Sequence, residues 1–209
     1  MNTKLLSTSR LAMIAPMTTA QAKARMDVQA FHNAMRQIWQ DHLTWTRFVI
    51  ISVFEELPDL DPTVQRLLQN REDIGDAIKP FYGDAAGAQL TTLFREHILI
   101  AAEIFQATKN SGTTPQNDAI KRWYANADDI ALFLNAANPK YWPLEEVRAR
   151  MIEHLDLTLK EAVAYFGGNY NVSMAAYDEV HLQALEIADM LSMGIIRQFP
   201  DEFMVGTKN

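Results

Sequence analysis

Residues 66–74 read Arg66-Leu-Leu-Gln-Asn70-Arg-Glu-Asp73-Ile74, and residues 122–130 read Arg122-Trp-Tyr-Ala-Asn126-Ala-Asp-Asp129-Ile130. An arginine, an asparagine and an aspartate recur at i, i+4 and i+7. That spacing lines side chains along one face of a helix of 3.6 residues per turn. A strand, with its period of two, would scatter them over both faces. The string therefore decides for helix, and its recurrence points to an internal repeat.

Working outward, each string is followed by a helix with a histidine in a matching place: Phe94-Arg-Glu-His97-Ile98 and Met151-Ile-Glu-His154-Leu155. Asp73 to Asp129 is 56 residues and His97 to His154 is 57, a difference one loop residue absorbs. The expectation is a duplicated helix pair, over about 62–109 and 115–166. Two further strings have the same form, Trp39-Gln-Asp-His42-Leu43 and, more loosely, Asp178-Glu-Val-His181-Leu182. All four histidines fall within apolar stripes: His97 lies among Leu90, Phe94, Ala101 and Ile104, and His154 between Val147, Met151 and Thr158. The acidic residue just before three of them is turned about 100° away and reads as a solvated flank.

Apolar residues recur at three- and four-residue spacing along nearly the whole chain, so we expect no sheet. Six helices are predicted, over about 24–57, 62–79, 84–109, 115–136, 143–166 and 173–199. Asp61-Pro62 and Thr114-Pro115 read as N-caps followed by proline, Ser173 as a further N-cap, and Gly167-Gly168 as a C-cap. Short connections favour antiparallel neighbours. The fold expectation is an all-α helical bundle of about six helices with an internal duplication. Residues 25–203 form its one domain, between a segment 1–24 and a tail 204–209.

The chain has 209 residues, enough for a full core, and carries a net charge of −7. An acidic surface repels phosphate backbones, which argues against nucleic acid as a partner. There is no cysteine, so disulfides, thiolate ligands and a cysteine nucleophile are excluded. No stretch approaches the ~18 apolar residues of a membrane helix, so no integral membrane segment is expected. Near the N-terminus, Lys4 and Arg10 precede a short apolar run, and Ala20-Gln-Ala22 and Ala22-Lys-Ala24 fit a small-x-small cleavage site. This reads as an export signal, giving a periplasmic or secreted protein. Pro16 and the weak run leave a cytoplasmic tail as the alternative.

Inward imidazoles must pair their ring nitrogens or lose about 1–3 kcal/mol of solvation per unsatisfied group. Neutral imidazoles and carboxylates from facing helices are also how bundles hold metals. The expected ligands are His42, His97, His154, His181, Asp73 and Asp129, with Asn70, Asn126, Arg66, Arg122 and Asp178 around them. The expected function is binding of a metal or small ligand in the core, with a divalent Zn, Cu, Ni or Fe ion all open. The alternatives are a metal-dependent enzyme using the same residues, and a structural protein whose His–Asp network only sets helix register. No histidine follows a glutamate by three residues, so the di-iron signature of ferritin-like bundles is missing.

His42-x-x-Trp45-Thr46-Arg47, Arg66-Leu-Leu-x-Asn70-x-x-Asp73-Ile74-Gly75, Asn126-x-x-Asp129-Ile130 and Gln198-Phe199-Pro200 together resemble a bacterial family of small all-helical proteins. The resemblance covers about residues 39–203. It implies a helical fold and, from the look of some relatives, export. It brings no established activity, and no nucleotide or sugar-donor motif stands in this chain.

Overall fold

Six helices carry the chain in the computed structural model, which describes residues 25–110 and 113–204. They are α1 (Val28–Phe54), α2 (Leu60–Tyr82), α3 (Asp84–Lys109), α4 (Thr113–Ala137), α5 (Leu144–Phe166) and α6 (Tyr170–Gln198). Each packs on the next and α6 closes on α1, so the helices form a ring. In addition α1, α3 and α5 touch one another. The odd-numbered helices are thus the inner three, and the even-numbered ones fill the grooves between them. The architecture is the expected all-α bundle. No described helix is long and apolar enough to cross a membrane.

Local chemistry explains most boundaries. Asp27 caps α1, its Oδ1 accepting from Ala30 N–H at 2.8 Å. Gly83 at φ 85° separates α2 from α3 and Gly168 at φ 71° ends α5, both in the left-handed region open to glycine. Where boundaries differ from expectation, packing is the cause. α2 runs through Pro80 to Tyr82, because Phe81 stacks on Phe203 and Tyr82 sits against Trp142 and Phe199. One backbone bond lost in a last turn is cheaper than uncovering two aromatic rings. Asp61 does not cap α2; Asp59 takes that place and its carboxylate accepts from Ser52 Oγ at 2.8 Å. Ser173 is not a cap either, since α6 begins at Tyr170 and Ser173 lies buried inside it.

The expectation of no sheet needs a small correction. Met26–Asp27 (β1) pairs in parallel with Phe203–Met204 (β2), two residues each. Phe203, packed on Phe31 and Phe81, seats this clip against the core. The expected export signal in 1–24 lies outside the described residues.

The repeat is not established in the form the sequence suggested, α2–α3 against α4–α5. Side-chain correspondence runs instead through three hairpins, α1–α2, α3–α4 and α5–α6. On the inner helices, Met35, Leu90 and Val147 lie two turns before the histidines. Trp39, Phe94 and Met151 lie one turn before them, and Leu43, Ile98 and Leu155 one residue after. On the outer helices, Leu67, Trp123 and Val180 match, as do Ile74, Ile130 and Ile187. All fifteen are buried. Three hairpins with matched apolar positions stack into common layers, and a layered core places side chains at one level.

Between α2 and α3 the backbones meet at Gly75 and Gly87. A Cβ on Gly75 would stand 2.7 Å from the Gly87 carbonyl oxygen, and one on Gly87 would stand 2.8 Å from that of Gly75. Gly75→Ala should therefore force the helices apart and cost about 1–3 kcal/mol. Urea denaturation of the two proteins reads this directly; an unchanged midpoint would mean the helices are not in close contact there.

Candidate metal centre

His42, His97 and His154 each sit on an inner helix, at 2%, 2% and 3% exposure. Their ring centroids are 6.1, 5.8 and 5.9 Å apart, a nearly equilateral triangle. One nitrogen from each ring lies within 4.8 Å of the others. The sequence brings them to one level because the three histidines hold the same place in three matched helices.

The neighbouring amides determine which nitrogens converge. Asn70 Nδ2 donates to the Ile38 carbonyl at 2.9 Å, which turns its Oδ1 toward His42 Nδ1 at 3.0 Å. Asn126 repeats this, donating to the Leu93 carbonyl at 3.0 Å and presenting Oδ1 to His97 Nδ1 at 3.2 Å. Each carbonyl belongs to the residue four before the histidine, and its second lone pair accepts the amide. An amide oxygen can only accept, so Nδ1 carries the proton and Nε2 is left as a bare lone pair. On the third hairpin Gln183 stands in the asparagine's place, 29 residues after His154, and donates to the Arg150 carbonyl at 2.7 Å. Here the last contact is not closed: His154 Nδ1 and Gln183 Oε1 both lack a formed hydrogen bond. Gln183 still raises the basicity of that ring, but by less than burial and repulsion from His42 lower it.

Burial pushes His42 down to about 4, against a smaller opposing pull from Asn70. Burial and then repulsion from His42 bring His154 to about 3. Burial, with repulsion from His154 and His42, holds His97 well below the ordinary imidazole value. No carboxylate or ammonium figures among the groups acting on these rings. At neutral pH the core therefore holds three uncharged imidazoles, with a lone pair on Nε2 of His42 and of His97 and one nitrogen of each ring within 4.8 Å of the others.

Those lone pairs repel one another unless something positive or hydrogen-donating sits between them. Zinc–imidazole bonds of about 2.0–2.1 Å would bring ring centroids in a planar triad to about 5.5 Å. The observed centroids, at 5.8–6.1 Å, are wider by a few tenths, and the nitrogens, within 4.8 Å of one another, would draw in by up to about 1 Å through ring rotation. The residues present fit a metal ion.

The remaining expected ligands lie elsewhere. His181 is half-buried, 3.4 Å from Gln40 Nε2 and stacked on Tyr177, because α6 turns Val180, Gln183 and Ala184 inward instead. Asp73 and Asp129 face the surface. They follow Asn70 and Asn126 by three residues, which swings them about 60° off the inward line. Asp73 lines an outer cleft with Phe31, Asp41 and Phe81, and burial raises its carboxyl above the usual value. Asp129 lines another cleft with Glu96, Arg122 and Asn126. Arg66 pairs with Asp41 at 3.5 Å and covers the Trp45 ring, Arg122 pairs with Glu103 at 2.5 Å, and Asp178 is exposed. None of these reaches the rings.

Reasoning from the sequence missed Gln183. The near-constant spacing was the available signal, since Asn70 follows His42 by 28 residues and Asn126 follows His97 by 29. It also missed Glu161, which is 1% exposed at the place held by Val49 and Ile104 in the other hairpins. Arg47 donates to it at 2.8 Å and to Ser173 Oγ at 2.6 Å. Burial nevertheless lifts the Glu161 carboxyl to about 7, with Arg47 pulling the other way.

Fold and site together define a six-helix bundle with a buried tri-histidine centre. No family model, curated protein or solved structure matches the chain, so its function is argued from this geometry.

Proposed function

We propose that the protein binds one metal ion between the Nε2 atoms of His42, His97 and His154. The observation that supports this most strongly is the pair of asparagines behind His42 and His97, which commit Nδ1 of both rings and leave their Nε2 atoms free. A register-setting network would pair those lone pairs with donors, and no donor to Nε2 of His42 or His97 stands among the described residues. Outer hydrogen bonds that orient ligating imidazoles are a regular feature of metal sites. Burial of all three rings favours an ion that is held over one that turns over substrate. The cleft on α3–α4 is lined by Asn126 but by none of the three histidines. Export through residues 1–24 belongs to the same reading and would place the centre outside the cytoplasm.

The test is elemental analysis of the full chain, made without an affinity tag and purified without chelator, with the N-terminal mass read from the same sample. About one tightly held ion per chain is expected, with cleavage after Ala22 or Ala24. A metal-free protein whose thermal midpoint no ion raises would overturn the metal reading. An intact Met1 would overturn export alone.

A further inference from the structure

We propose that the ion this centre selects is monovalent copper, Cu(I), over any divalent cation; the proposal rests on reading the triad as a metal centre. Charge is the first reason. The three ligands are neutral, and so are the groups behind them: Asn70, Asn126 and Gln183 stand where carboxylates often back ligating histidines. Asp73 and Asp129 face the surface, and Glu161, two turns along α5, is held by Arg47. An ion here keeps its whole charge inside an apolar core. The cost of burying an ion rises as the square of its charge, so a divalent ion is penalised about four times as heavily as a monovalent one.

Coordination number is the second reason. Zinc takes four ligands, filling with water or substrate whatever the protein leaves open. Three convergent imidazoles satisfy Cu(I), a closed-shell ion content with three donors. On the side toward the helix N-termini, one turn before the histidines, stand the buried Trp39, Phe94 and Met151. The Trp39 and Phe94 rings stand 5.9–6.4 Å from the imidazoles. Aromatic rings, with a thioether one turn before His154, are soft, polarisable surroundings, which suit Cu(I) and offer little to a hard divalent ion. One turn after the histidines, on the other side, stand the buried Thr46, Ala101 and Thr158. Both hydroxyl hydrogens are already given to backbone, Thr46 to the His42 carbonyl and Thr158 to that of His154, each at 2.8 Å. Neither can then donate to an anionic fourth ligand, the ligand a divalent ion would need to shed its charge.

The experiment titrates the metal-free full chain anaerobically with Cu(I) against a Cu(I)-specific chelator, and separately with Zn(II), Co(II) and Ni(II) against a divalent chelator. Cu(I) should bind one per chain and at least about 1000-fold more tightly than any of the three. Asn126→Asp supplies the missing negative charge behind His97 and should narrow that ratio at least about tenfold, chiefly by tightening Zn(II). The X-ray absorption edge of copper-loaded wild type should show three-coordinate Cu(I), whether or not the variant folds. Divalent binding as tight as Cu(I), or a four-coordinate Cu(II) edge, would overturn the selection while leaving the metal centre in place. If no ion binds, or if His97→Gln keeps full copper affinity, the metal centre itself fails.

Discussion

His97→Gln should abolish tight metal binding, lowering affinity by at least about 1000-fold, since loss of an outer partner alone typically costs about 10–100-fold. The three rings contribute equivalently in the triangle, so removing one leaves two donors and an uncovered ion in an apolar core. Glutamine is close in volume to histidine and can keep a hydrogen bond with Asn126, so the fold should survive. Circular dichroism and gel filtration check that. Equilibrium dialysis of the variant beside wild type reads the affinity. A loss of less than about tenfold would show that His97 is not a ligand. His181→Gln is the matched control: it changes a histidine that lies outside the triangle, and should leave affinity where it was.

Metal-free protein should lose stability in acid, and bound metal should raise stability without flattening that slope. The rings titrate near 6.5 in the unfolded chain. In the folded one burial holds His42 near 4 and His154 near 3, with His97 also far down. Below 6.5 the unfolded chain therefore binds more protons than the folded one. The stabilisation is whole above 6.5 and drains away as pH falls toward the folded values. Glu161 works in the opposite sense. Its carboxyl is raised to about 7, so its contribution grows as pH falls toward the unfolded carboxylate value. Three rings against one carboxyl leave a net slope of up to about two protons, or about 3 kcal/mol per pH unit. Urea midpoints of the apo protein from pH 7 to 5 measure the slope, and His97→Gln should shrink it. At neutral pH, free metal at about 1000 times its dissociation constant adds about 4 kcal/mol. For a chain of this size that raises the thermal midpoint by about 10 °C. A flat pH profile in the apo protein would mean the rings are solvated, and the site would not exist as described.

Much of this was legible in the residues. The i, i+4, i+7 spacing of Arg66, Asn70 and Asp73 required a helix, and the shared context of His42, His97 and His154 brought them inward together. What stayed hidden was finer than a helical face. Asn70 and Asp73 differ by about 60° around the axis, and only the position of α1 decides that the amide points in and the carboxylate out. His181 matched the other strings by eye. Yet it lies about 200° from Gln183, the residue α6 turns to the core. The sequence pairs α2–α3 with α4–α5 because the matching strings sit on α2 and α4, with histidines soon after. The hydrogen bonds run backward, from Asn70 to α1 and from Asn126 to α3. Glutamine in place of asparagine at 183 disguised the third hairpin. Glu161 gave no sign at all, since a single acid in an apolar stripe reads as a flank until its burial is seen.

Anomalous X-ray diffraction from crystals of the metal-loaded protein bears most directly on convergence of the three lone pairs. One peak should lie inside the bundle, about 2.0–2.2 Å from Nε2 of His42, His97 and His154 alike. A peak bound through Nδ1, one at His181, or density only among the surface carboxylates would contradict it.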